Sequence, residues 1–164
     1  MATVIRSVVR LLAGVSVGSF LISFPKAAGQ EKDVKVIAFV ADFQGNHLPK
    51  IGGDKGNMKD GRGQAVVARK RADLGQTPEA QKQAEARLLE LLKVKAIDWD
   101  TQMVVRIDAG SSRYDRQVRV TSLTAKGKSL TVHWLAEQMG VGGLQAAGIA
   151  LVPRFDGEVT FVGK

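Results

Sequence analysis

The sequence predicts an α+β fold: a mostly antiparallel β-sheet or sandwich with one principal helix at about 78–94, preceded by an N-terminal signal peptide. Three observations carry this. A single capped, amphipathic stretch follows Thr77. From Trp99 to the C-terminus the apolar residues recur with a period of two. Leu11 to Phe24 is an uncharged, largely apolar run placed directly after Arg6 and Arg10.

The N-terminal run has the three-part layout of a secretory leader. Positive residues come first, the apolar stretch second, and small residues Ala27 and Gly29 stand at −3 and −1 before Gln30. A membrane span needs about 20 apolar residues. This run falls short of that and Lys26 closes it, so a cleaved peptide over 1–29 is expected, with an uncleaved anchor as the alternative. The remaining chain, 34–163, is long enough for one β-rich domain with its own core.

Val34 to Val40 reads as one mostly buried strand. The stretch 44–63, with Pro49 and six glycines, reads as a long loop or two linked turns. Gln64 to Arg71 reads as a further strand. In the helix, Thr77 serves as cap, Pro78 fits the first turn and Glu79 complements the dipole. Ala80, Ala84, Leu88, Leu91 and Leu92 form its apolar stripe, which predicts packing against the sheet. Next, Met103, Val105, Ile107 and Ala109 alternate with Gln102, Arg106 and Asp108, as expected of a strand with one wet face. Val118 and Val120, then Leu130, Val132 and Trp134, repeat the pattern on either side of a turn at 125–128. Ala136 to Gly148 reads as a flexible or bulged crossing. Asp156-Gly157 predicts a second hairpin between 149–155 and 158–162.

Charge and residue inventory narrow the chemistry. Three of the eight net positive charges fall in 1–29, leaving +5 on the rest, a modest bias suited to solubility and weak contact with anionic surfaces. The absence of cysteine removes disulfides, thiolate metal sites and a Cys nucleophile. His47 and His133 are the two histidines, and no serine lies in a nucleophile elbow. The glycine-rich 52–63 loop has neither the order of a phosphate-binding loop nor the acidic spacing of a calcium loop. Asp98 and Asp100 flank Trp99 and read as a solvated strand entrance. No catalytic residue, metal or cofactor is implied.

Residues 96–105 (Ala-Ile-Asp-Trp-Asp-Thr-Gln-Met-Val-Val), Val118-Arg119-Val120-Thr121, Leu130-Thr131-Val132 and the 151–157 stretch follow one another in an order that resembles the PrcB C-terminal-like family. That family's members are small exported domains of protease-complex subunit type. The resemblance covers about 96–162 and implies a non-catalytic accessory role in the cell envelope. The family's Thr-Gly-Gly-Tyr turn is replaced here by Ser111-Ser112-Arg113-Tyr114, which lacks the glycine pair and predicts a different turn.

The expected function is therefore an exported (periplasmic or extracellular) protein-interaction or accessory domain, without a span in its mature form, whose partner is another envelope or extracellular protein. Arg113, Tyr114 and Arg116 are the expected contact residues, since Arg and Tyr are enriched at interface hot spots. The 140–148 segment is a second contact candidate. The alternative is an electrostatic binder of an anionic polymer through Lys55, Lys59, Arg62, Arg69, Lys70 and Arg71. Nucleic acid is disfavoured because no aromatic residue is interleaved with these cations.

Overall fold

The computed structural model describes residues 31–42, 47–59, 63–110, 114–141 and 146–163. The leader at 1–29 lies outside them. Ten strands and one long helix follow in chain order: β1 (Lys32–Val34), β2 (Ala38–Asp42), β3 (Asp54–Lys55), β4 (Asn57–Met58), β5 (Gln64–Ala68), α1 (Pro78–Leu92), β6 (Gln102–Asp108), β7 (Tyr114–Lys126), β8 (Ser129–Val141), β9 (Ala147–Pro153) and β10 (Glu158–Gly163). A single 3-10 turn, Arg71–Leu74, precedes the helix. The strands form two five-stranded sheets, one ordered β1-β7-β8-β10-β4 and the other β2-β9-β6-β5-β3. All pairings are antiparallel except those of β10, which lies parallel to both β8 and β4. The α+β sandwich with one principal helix is therefore the observed architecture.

Two apolar layers hold the three tiers together. Between the sheets, Met103, Val105 and Ile107 of β6 meet Val118, Leu130, Val132, Trp134 and Phe161 of the opposite sheet. Beneath the helix, Leu88 and Leu92 pack on Val104, Ile149 and Leu151 from the other face of β6 and β9. The helix begins where its sequence directs: the Thr77 hydroxyl accepts from the Ala80 N–H at 3.2 Å, with Pro78 in the first turn. It ends at Lys93, whose left-handed backbone lets the Lys93 and Val94 N–H groups close the last turn.

Several expectations are corrected. The 34–40 run is two strands, because the chain leaves one sheet at Val34 and enters the other at Ala38. The turn of direction occurs at 35–37, where the Ile37 N–H donates to the Leu151 carbonyl. The 44–63 loop contains β3 and β4, which likewise belong to different sheets. Gly56 makes that second corner possible: a Cβ there would overlap the Phe161 ring. Together these two short segments supply all four edge strands of the sandwich. The strand expected over 64–71 ends at Ala68, and β8 continues into the first part of the region expected to be a bulged crossing, up to Val141.

The second hairpin does not exist. β9 and β10 sit in different sheets, and 154–157 carries the chain from one to the other. Asp156-Gly157 serves that crossing, and the glycine is there for space, since its backbone lies against the Lys128 carbonyl of the β7–β8 turn. The polar face expected for β6 is also not wet. The helix and the 48–51 segment cover it, so Val104 is fully buried and Arg106 is only 9% exposed.

Candidate functional site

The β7–β8 hairpin is the longest element, with 13 residues in each strand. Neighbours cover only its proximal half. β1 pairs with β7 at 123–125, and β10 pairs with β8 at 129–134. Among the described residues, 114–122 of β7 and 135–141 of β8 pair only with each other, so a two-stranded ribbon presents two open edges. Open edges carry unpaired N–H and C=O groups along the strand, a template for another extended backbone. The edge strands themselves are shorter: β1 has three residues, β2 five, and β3 and β4 two each.

The ribbon is anchored at its base and irregular toward its tip. Val118 and Ala136 reach the inter-sheet core, with Val118 close to Gly148 of β9. The register shifts twice, between Val120 and Ser122 on β7 and next to Asp115 and Arg116, where Met139 is the extra residue on β8. Met139 is 54% exposed, the most exposed large apolar residue among those described. Arg119 and Glu137 pair across the ribbon at 3.2 Å, both half exposed.

The expected contact residues Tyr114 and Arg116 fall on this ribbon. Tyr114 is opposite Val141 and Arg116 is opposite Gln138. Arg113 lies outside the described residues, as does 142–145 of the second candidate segment. Met139 lies beyond the alternating run Leu130, Val132 and Trp134 whose parity would place it outward, in a stretch the sequence reads as a crossing and not as a strand. Its place as the unpaired residue of the bulge depends on the partner strand.

The basic set divides. Arg69 is a structural clamp: its guanidinium donates to the Phe155 and Gly157 carbonyls at 2.9 Å each and pairs with Asp54, fastening the 154–157 crossing. Arg154 repeats this from the other side, donating to the Trp99 and Arg69 carbonyls at 2.7 and 3.1 Å. Arg71 pairs with Glu85 of the helix at 2.7 Å. Lys55, Lys59 and Lys70 are exposed, with no ion pair among the described residues, and Arg62 lies outside those residues. Of the five expected cations that the structure describes, three are thus presented to solvent without an ion pair.

An open depression of about 580 Å³ is lined by Lys50, Ile51, Gly63, Gln64, Val66, Arg106, Asp108 and Gly110. Its one buried cation is already engaged. Arg106 donates from Nε and Nη2 to Asp108 and from Nη1 to the Leu48 and Pro49 carbonyls, at 3.3 and 2.7 Å. It thereby holds the 48–51 segment on the sheet. Arg106→Ala would leave two carbonyls and Asp108 without their donor. Discounted for the partial exposure of Asp108, the expected loss is about 2 kcal/mol in urea unfolding.

The histidines serve local contacts. The His47 backbone N–H donates to Asp42 at 2.9 Å, and the ring is exposed. His133 Nε2 lies 3.5 Å from Thr124 Oγ1, and its cross-strand neighbour is Ser122. Asp98 heads β6 by turning back on itself. It accepts from the Thr101 hydroxyl at 2.7 Å and from the Asp100 N–H at 3.1 Å, which together hold its carboxyl below the ordinary value. The charged form is the one favoured in the fold, so this contribution is present above the ordinary carboxylate range and is lost as pH falls through the lowered value. Thr101→Val should move the Asp98 titration upward, as followed by carboxyl NMR; an unmoved titration contradicts this cause. Trp99 rests against the helix layer and donates from Nε1 to Glu85 at 2.9 Å.

Among the described residues no three acidic or histidine side chains gather as a metal would require, and no helix is long and apolar enough to cross a membrane. No family model, no curated protein and no solved structure matches the chain. The resemblance noted above stands on its strand motifs alone.

Proposed function

We propose that the chain is an exported, non-catalytic interaction domain that engages another envelope or extracellular protein through the distal β7–β8 ribbon. The observation that carries this reading is the pairing register: two long strands run past the strands paired with them on both sides. An open strand edge next to an exposed methionine is a combination that protein partners use, because backbone pairing supplies affinity and a nearby apolar side chain supplies contact area. Export is the expectation from the leader at 1–29, and the accessory role agrees with what the family resemblance implies.

A second reading, electrostatic binding of an anionic polymer, is favoured by one observation: Lys55, Lys59 and Lys70 are exposed and unengaged among the described residues. Salt separates the two. Contacts to a polyanion weaken steeply as ionic strength rises, whereas backbone pairing and apolar contact do not. A crosslinked pull-down of the tagged chain from its native envelope fraction, washed at low and then high salt, is the test. A stoichiometric protein retained at high salt supports the ribbon reading. Recovery of polyanion at low salt only, with no such protein, overturns it in favour of the lysines.

A further inference from the structure

We infer that Met139 is a site of reversible oxidation, converted by hydroperoxides to the sulfoxide, and that the sulfoxide loosens the contact the ribbon makes with its partner. The chain contains no cysteine, so its four methionine thioethers are its only sulfur. Met1 belongs to the leader, outside the described residues. Met103 is fully buried between the sheets, and Met58 is half-buried against the same layer. Met139 is the one exposed methionine among the described residues, 54% accessible on the part of β8 that β10 no longer covers. The susceptibility of a sulfur to oxidants follows its exposure, so this inventory singles out one position.

The step is a two-electron oxygen transfer. A lone pair of Met139 Sδ attacks one oxygen of the hydroperoxide. The S–O bond forms as the O–O bond breaks, sulfur is oxidised, and the other oxygen leaves with the proton as water or an alcohol. The product replaces an apolar, adaptable group with a polar one that holds water. In a packed core this would be disruptive. Met139 instead belongs to neither apolar layer, and it is the residue left unpaired where the register passes from Arg116–Gln138 to Asp115–Gly140. Oxidation there spares the fold and changes only the surface offered to a partner. That surface has little to substitute for the lost apolar contact. Gln138 and Glu137 are exposed polar neighbours, Glu137 is paired with Arg119, and residue 140 is glycine.

The inference rests on the proposed ribbon contact, and the experiment distinguishes their failures. The purified full chain is treated with hydrogen peroxide, and each methionine is followed by peptide mass spectrometry. Met139 should convert at least about tenfold faster than Met103, with Met58 between them. Far-UV circular dichroism and the urea midpoint should stay as they were. Equal rates at 139 and 103, or a fallen midpoint in chain oxidised at 139 alone, overturn the inference without touching the ribbon reading. For the contact, a photocrosslinker at Gln138 is carried by reduced and by oxidised chain, each freed of peroxide before it meets the native envelope fraction. The protein adduct should fall at least about fivefold on oxidation and return after treatment with methionine sulfoxide reductase and a dithiol. In Met139→Leu the yield, whatever its starting level, should not respond to peroxide. An adduct undiminished by oxidation overturns the inference and leaves the ribbon reading standing, as does a Met139→Leu chain that still loses its adduct. No adduct from the reduced chain overturns the ribbon reading and this inference with it.

Discussion

Replacing Gly157 by alanine, valine or asparagine should destabilise the chain by at least about 3 kcal/mol, seen as a large fall in the urea midpoint. Any Cβ at this position overlaps the Lys128 carbonyl oxygen, a backbone atom in the β7–β8 turn that cannot rotate away. Asparagine is the informative substitution. In a hairpin turn needing positive φ it would be tolerated, because asparagine visits that region readily. Here the constraint is the space between the inter-sheet crossing and the hairpin turn, so asparagine should fare no better than alanine. Gly127 is the control: it has φ +59 with nothing near its Cβ position. Gly127→Ala should cost only about 1 kcal/mol, the conformational penalty alone. Equal costs at the two sites would refute the crossing geometry.

Phe161→Ala should cost about 3–5 kcal/mol, the range for emptying a fully buried aromatic site. Phe161 fills the inter-sheet layer at the side where the chain switches sheets through Gly56, and its ring occupies the volume a Gly56 side chain would need. The two positions should therefore couple. Gly56→Ala alone clashes with the ring, while in the Phe161→Ala background the added methyl enters vacated space. A double-mutant cycle is expected to show the pair at least about 1 kcal/mol less damaging than the sum of the singles. Strict additivity would mean that the ring does not determine the corner.

These predictions involve packing that the sequence foreshadowed unevenly. The helix was legible because its evidence is local: Thr77, Pro78 and the Leu88–Leu92 stripe lie within five turns of one another. The alternation in β7 and β8 was legible for the same reason. The burial of Arg106 is not legible, because a period of two reveals only that a strand has two faces. What covers the second face, here α1 and the 48–51 segment, arrives from elsewhere in the chain. The 34–40 run reads as one strand because apolar residues stand on both sides of the corner at 35–37. Asp156-Gly157 is a hairpin cue whose glycine is used for a different purpose.

The candidate site was legible in composition and not in geometry. Tyr114 and Arg116 were singled out as residue types suited to contact, and they do fall on the ribbon. Nothing in their neighbourhood of sequence says that β1 and β10 stop short, because that depends on registers set by residues far along the chain. The basic residues show the converse. Arg69 and Arg71 look like part of one charged run with Lys70, yet one clamps the inter-sheet crossing and the other ties the 3-10 turn to the helix, leaving Lys70 exposed between them. Counting charges along a segment cannot separate a structural guanidinium from an available one.

We propose the ribbon, and not the lysine-bearing edge, as the place where this domain meets its protein partner. Site-specific photocrosslinking in the native envelope tests it most directly, with the crosslinker placed at Met139 in one variant and at Lys55 in another. A discrete protein adduct from position 139, absent from position 55, is the predicted result. An adduct from position 55 with none from position 139 would contradict it.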